Sequence, residues 1–562
     1  MKLRLDEKKD AVKRKFPWRT VPAKMLRMLS GMYLICMLGV FPLYYHNKYY
    51  DMGPAKFSFF WTATLLFAAV SLIVLIFFIL TQENPPDLKA AARKASLLDL
   101  FVLAYMVSLL ISFALSDYKA AGIKGSGGWF MGLYPQLFFI AVYFLLSRFL
   151  KFKKVYLWVL EVSSFLVFLL GVLNRFNVDP LGFYSGLAER YKVLFLSTLG
   201  QATWYSSFLC TVLPIAMFFY WHGRRSWKTP LFAVYLMVGF ASLGTQNSDS
   251  AFIGMGLAFF VYFWFSFRSN ERFLRFLELV LMCLGSMRVV GILQMLFPKQ
   301  TVPLEPLSLF LSQNPFLWAV FAAVLLLYLA LFLQNRSGRM RILSASWVRN
   351  VCLGLLIAAI PLVLLLICLR TTGHLPAGLR FLNNIGYLNF DDQWGNGRGF
   401  TWKYAASMYG EYSLKNKLFG CGPDCFSAYS YEFHAELLKS KWGNSTLTNA
   451  HNEWLNCLLN LGIFGFIAYM GTFVTAAATF FSKCRKRPFL IALGACTLAY
   501  MGHNLFCYQQ VICTATIFIL FGIGRNLIAG EKARSKKQKE DDMPSGLPGA
   551  GSGAAGDEVY NT

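Results

Sequence analysis

Uninterrupted apolar runs recur from one end of this chain to the other, and they limit what it can fold into more than any motif does. Stretches such as 58–80 and 350–369 carry no charged residue. Each is about as long as the 20-residue helix needed to cross the roughly 30 Å hydrocarbon core of a bilayer. Within lipid, backbone N–H and C=O groups have no water to bond, so a crossing segment satisfies them internally as a helix. About fourteen such runs can be placed along the sequence. They predict an all-α fold, a polytopic transmembrane helical bundle. Of the 562 residues, 56% are hydrophobic and 15% are charged, whereas a soluble domain carries about 25% charge.

The formal net charge of +26 raises nucleic acid as a partner, but its distribution argues against one. With loops assigned alternately to two sides, about 37 Lys and Arg fall on one side and about 16 on the other, with Arg288 inside a span. The rich side holds the stretch from Lys2 to Arg27, Arg148 to Lys154, Arg224-Arg225, Lys483 to Arg487 and Arg534 to Lys539. Positive charge beside span ends marks the cytoplasmic face and suits anionic membrane lipid. An even number of spans then puts both termini in the cytoplasm.

Loops are short except for two on the other side, one from Asn174 to about Ala202 and one from Arg370 to about Ala450. The second is rich in aromatic residues and Gly-Pro turns and predicts short helices rather than disorder. The chain therefore divides into a basic cytoplasmic segment (1–24), transmembrane helices 1–11 (25–369) and an extracytoplasmic loop lobe (370–450). Helices 12–14 (451–527) and a disordered cytoplasmic tail (528–562) follow. No internal repeat is visible, so an inverted-repeat transporter gains no support. Most cysteines lie in spans as small hydrophobes. Cys421 and Cys425 share the large loop at a spacing that fits no zinc pattern, and we read them as unpaired thiols.

Polar groups with chemical capacity cluster where that loop becomes the twelfth span, in Asn449-Ala450-His451-Asn452-Glu453-Trp454. Asn449 reads as the N-cap, which places His451 in the first turn. There the helix dipole disfavours imidazolium, leaving a neutral ring able to accept a proton. The same helix end offers N–H groups to an anion such as phosphate. A histidine that only caps or packs is the alternative, and it would prevail without the rest of the loop.

The loop contains Gly397-Arg398-Gly399-Phe400-Thr401-Trp402, then Leu418-Phe419-Gly420-Cys421-Gly422, then His451-Asn452, with Gly462 and Gly465 on the helix beyond. Ser197-Thr198-Leu199-Gly200-Gln201 precedes the sixth span. Gly244-Thr245-Gln246-Asn247-Ser248-Asp249-Ser250-Ala251 joins the seventh and eighth. In this order the set resembles the O-antigen ligase and O-antigen polymerase family of bacterial envelope enzymes. The resemblance implies a C-type glycosyltransferase (GT-C-like) fold in the bacterial cytoplasmic membrane. It implies transfer of a glycan from an undecaprenyl-pyrophosphate carrier to a hydroxyl of a glycan, lipid or protein on the outer face, with no cofactor and no metal.

The resemblance assigns His451 as the catalytic base, and Arg398, Trp402 and Asn452 to substrate binding. A planar guanidinium suits phosphate oxygens. One departure stands out: many relatives carry Ser-Arg where this chain has Ser248-Asp249. Arg288 within a span, or Arg190 and Lys192 in the other long loop, are the candidate replacements. Asp249 reads as an accessory residue, pairing with one of these cations or contacting a sugar hydroxyl, with the ion pair preferred. His503, in a second His-Asn pair at a helix C-terminus, reads as accessory. His374 and His434 read as ordinary loop histidines, and adjacent Asp391-Asp392 make a poor metal pair.

Three other classes remain. A lipid-linked oligosaccharide flippase or other transporter would line its path with several intramembrane charges. A scaffold would not require an ordered loop with Arg and His in this order. A peptidoglycan polymerase would use a loop carboxylate in place of His451.

Overall fold

The computed structural model describes residues 21–80, 95–125 and 128–541. Most of the basic N-terminal segment and the Gly-rich tail lie outside it. Fourteen long helices carry the fold. They are α1 Val21–Leu43, α2 Met52–Leu80, α3 Leu97–Leu115, α4 Leu133–Phe149, α5 Val155–Arg175, α6 Ala202–His222 and α7 Lys228–Thr245. The rest are α8 Ser250–Ser266, α9 Asn270–Leu296, α10 Phe316–Arg336, α11 Trp347–Thr371, α12 Glu453–Lys483, α13 Leu490–His503 and α14 Val511–Asp541. Ten of the helices are long and apolar enough by themselves to cross a membrane, and α4, α8 and α13 are shorter apolar helices. This is the all-α polytopic bundle that the hydropathy predicts. Helix α14 continues to Asp541, past the expected start of the tail, because the Lys-, Glu- and Gln-rich residues after Gly530 are themselves good helix formers.

Enclosure differs sharply among the helices. Helices α6 and the apolar part of α14 are almost wholly surrounded by protein, whereas α10 and α11 bury no residue. Enclosure is what lets α6 carry polar side chains, because neighbours satisfy them. The Tyr205 hydroxyl lies 2.6 Å from Ser242 Oγ on α7, and Trp221 Nε1 donates to Ser266 Oγ on α8 at 2.8 Å. At the basic end, Asp99 of α3 accepts from Arg148 of α4 at 2.9 Å and Arg525 of α14 at 3.2 Å.

Between α11 and α12 lies a lobe of short helices, Trp394–Glu411, Leu414–Phe419, Phe426–Phe433 and Ala435–Trp442. It has its own core of Tyr404, Met408, Tyr412, Phe426, Leu438 and Leu447. Cys421 and Cys425 are buried in it as free thiols. The lobe is seated on α12 by a break in that helix at Gly462, where φ is +66°. A Cβ there would stand 2.3 Å from the Leu418 carbonyl, so only glycine admits the contact. The break frees helix carbonyls, and the lobe and α3 satisfy them. Leu459 O accepts from Cys421 N at 3.2 Å and Tyr412 Oη at 3.2 Å. Asn460 O accepts from Gly422 N at 2.9 Å and Ser112 Oγ at 2.9 Å.

Candidate active site

A cavity of about 930 Å³ lies between the lobe and the helix ends. Its walls come from the segments after α5, α7, α9, α11 and α13. All five follow odd-numbered helices, so a chain that crosses with each helix brings them to one end of the bundle. The basic clusters at Lys151 to Lys154, Arg224-Arg225 and Lys483 to Arg487 follow even-numbered helices. The cavity therefore opens at the end away from the positive charge.

His451 and Arg398 both line it. Arg398 follows a tight left-handed turn in which Gly395, Asn396 and Gly397 have φ of 58°, 60° and 86°. Two glycines and an asparagine are the residues that tolerate this conformation. Nη1 donates to Gly395 O at 2.7 Å and Nη2 to Phe506 O at 3.0 Å. Two of the guanidinium's five N–H groups are thus used in fixing it, and Nε has no partner among the described residues. Burial lowers the Arg398 pKa, opposed by the nearby Cys507, Tyr508, Asp249 and Glu305.

His451 sits just before α12 rather than in its first turn. The N-cap is Asn452, whose side chain accepts from Leu455 N at 3.0 Å. Asn449, expected in that role, instead accepts from His451 N at 2.8 Å. This local turn holds His451 at φ +48°, a left-handed value uncommon for a non-glycine residue, though histidine is among those that adopt it more readily. Its ring meets Tyr508 edge-on at 5.4 Å between centroids and forms no side-chain hydrogen bond among the described residues. Burial, and then the Arg398 charge, push its pKa down to about 4. The neutral state expected from the helix dipole is therefore present, with desolvation as its main cause.

His503 differs in its hydrogen bonding. It is fully buried, with Nε2 2.9 Å from Ser206 Oγ and Nδ1 2.8 Å from Asn504 Oδ1. Asn504 in turn donates to Glu453, which also accepts from Tyr469 at 2.5 Å and Tyr500 at 2.9 Å. Glu453 N donates to Asn504 O at 3.0 Å. This buried network clamps the start of α12 to the end of α13 directly beneath His451. Neither Glu453 nor the tyrosines could be assigned from sequence, because their partners lie 16 to 51 residues away along the chain.

The remaining sequence candidates separate. Asp249 lines the cavity and accepts from the Tyr387 hydroxyl. It makes no ion pair among the described residues, so the preferred pairing with a cation is replaced by this hydroxyl contact. Arg288 does not line the cavity. It is buried in α9, where it donates to Leu311 O and, at 2.8 Å, to Asn314 O, carbonyls at the end of the short helix Pro306–Gln313 that need donors. Arg190 is exposed and covers the Tyr191 ring, and Lys192 pairs with Glu189 at 2.6 Å. Trp402 lies behind the wall, stacked on Phe506 at 5.6 Å and tilted against Trp394 at 5.3 Å, both of which line it.

The two other sequence stretches do meet here. Phe195–Leu196 and Gly200–Gln201 form a tiny hairpin that presents Gln201 to the cavity, and Gln201 Oε1 accepts from Tyr508 Oη at 2.9 Å. In the α7–α8 turn, Asn247 Oδ1 accepts from Glu305 N at 2.6 Å, which draws Glu305 into the wall. Glu305 was missed. The signal was a carboxylate next to Pro306, in a loop on the same side as His451. Among the described residues no group of three or more His, Cys, Asp and Glu could hold a metal ion.

The model of the family described as O-antigen ligase matches residues 304–470. That stretch begins beside Glu305, includes Arg398, the lobe and His451, and ends within α12. No curated protein matches the chain. The matched stretch supplies both Arg398 and His451 to a cavity at one end of a polytopic bundle; over these residues the chain is similar to the O-antigen ligase family, which supports a membrane glycosyltransferase type of function.

Proposed function

We propose that this chain moves a glycan from an undecaprenyl-pyrophosphate carrier to an acceptor hydroxyl on the outer face of a bacterial cytoplasmic membrane, with both termini inside. The observation that carries the reading is the meeting of a neutral His451 and a partly unsatisfied Arg398 in one cavity. The basic loops at the opposite end support the orientation. In the proposed step, His451 takes the proton of the acceptor hydroxyl as its oxygen bonds to the anomeric carbon. The bond from that carbon to the pyrophosphate oxygen breaks, and the electron pair leaves with the pyrophosphate. Arg398 neutralises the charge that grows there. Asn452, as the cap, keeps His451 aimed rather than touching substrate.

The test is glycan transfer in proteoliposomes loaded with undecaprenyl-pyrophosphate glycan. The native chain should form product and His451→Ala should not, with unchanged melting. Arg398→Lys should lose roughly 100-fold, because a point charge does not reproduce the planar fork. A variant with normal turnover would remove that residue from the chemistry. Absence of product from the native chain with every acceptor would favour a transporter. A cysteine placed at Asn444 should react only with reagents outside the cytoplasm.

A further inference from the structure

Among the described residues, three carboxylates share the cavity lining with a single cation, Arg398. They are Asp249, Glu305 and Asp391. Asp391 is used locally, accepting from Asn389 Nδ2 at 2.7 Å and Gln393 N at 3.0 Å. The other two have oxygens to spare. Asp249 Oδ2 takes the Tyr387 hydroxyl, while its buried Oδ1 has no hydrogen-bond partner. The Glu305 carboxylate accepts no hydrogen bond and joins no ion pair among the described residues, although its backbone is fixed by Asn247. Arg398 acts on them through its charge alone: it forms no ion pair with either, and its two engaged N–H groups donate to the carbonyls of Gly395 and Phe506. Beside these acceptors stand flat aromatic faces, Tyr387, Trp394, Trp442 and Phe506.

Unsatisfied carboxylate oxygens beside aromatic faces suit a polyhydroxylated ring, whose hydroxyls donate to the carboxylates while its C–H face covers an aromatic plane. A protonated amine donates still better. A carboxylate on the ring would be driven away, because like charges in a partly desolvated site repel strongly. Burial and the charge of Asp249 raise the Glu305 pKa, opposed by Arg398, which is consistent with two carboxylates sharing one space.

We propose that Asp249 and Glu305 set the charge specificity of this cavity, accepting a donor sugar that offers hydroxyl or ammonium groups and excluding one that carries a carboxylate. The inference rests on the glycosyltransferase reading. Its test compares three undecaprenyl-pyrophosphate donors in proteoliposomes with one acceptor, their first sugar a neutral hexose, a hexosamine with a free amine, or a hexuronate. The native chain should transfer the hexosamine at least as well as the hexose, and the hexuronate roughly 10-fold less well or worse. In Asp249→Asn and Glu305→Gln the ratio of hexuronate to hexose transfer should rise. Equal transfer of all three donors by the native chain overturns the specificity and leaves the enzyme reading intact. So does a native preference whose ratio neither variant changes. Failure of every donor overturns the enzyme reading, and the inference falls with it. The native comparison needs no variant to fold.

Discussion

Two His-Asn pairs, His451-Asn452 and His503-Asn504, stand at adjoining helix ends, one at an N-terminus and one at a C-terminus. Their surroundings divide them. His503 has both ring nitrogens occupied, by Ser206 and Asn504, and no exposed surface. His451 lies in a cavity wall at a positive φ, its ring T-shaped against Tyr508 and without a side-chain hydrogen bond among the described residues. Asn452 caps α12, whereas Asn504 bridges to Glu453. The lesson is that a residue type confers a capacity and its partners decide whether the capacity is spent. A histidine whose hydrogen bonds are all made holds the fold together; one left unbonded in a cavity is available for proton transfer.

The largest effect should separate the pair outright. His451→Ala should lower transfer by about 10²–10⁴-fold with melting nearly unchanged, and His503→Ala should do the reverse. In the second variant Ser206 and Asn504 each lose one buried hydrogen bond, at a cost of about 1–3 kcal/mol. Melting curves and initial rates on both proteins check this, and equal loss of rate in the two would dissolve the distinction. Asn452→Ala comes next, with about 1 kcal/mol of stability lost through the missing cap. If its rate fell far more than its stability, Asn452 would be contacting substrate.

The smallest effect sharpens the contrast by being almost nil. His451 has its pKa lowered from 6.5 to about 4, so the neutral form persists until the pH falls through that value. A profile of kcat/KM should therefore be flat from about pH 5 to 8 and decline toward pH 4. A limb near 6.5 would mean a solvated ring or another base. The same shift bears on stability. The folded ring binds fewer protons than the unfolded one between those values, so its contribution becomes less favourable as the pH falls below 6.5.

Not every motif glycine is there for the chemistry. Where the lobe rests on α12, Gly420 lies against the backbone of Asn460 and Leu461, and Gly462 against that of Leu418 and Phe419. Gly462→Ala should cost about 1–3 kcal/mol and loosen the lobe, which limited proteolysis of the Leu414–Trp442 region would register.

The sequence by itself determined the all-helical, many-span architecture, because crossing a bilayer is a local requirement. Each run of about 20 apolar residues has to close its own hydrogen bonds, whatever its neighbours do. It also isolated the loop that carries Arg398 and His451, since polar residues beside span ends are few. It did not determine which helices are enclosed: α6 and α10 both read as spans, yet one is surrounded by protein and the other buries nothing. Nor did it determine which loops converge. Glu305, Tyr387, Phe506 and Tyr508 became site residues only when segments after five different helices met at one end. The same packing turned Arg288 inward to carbonyls and gave Asp249 a tyrosine instead of a cation. These outcomes rest on contacts between residues tens to hundreds of positions apart, which no local periodicity records.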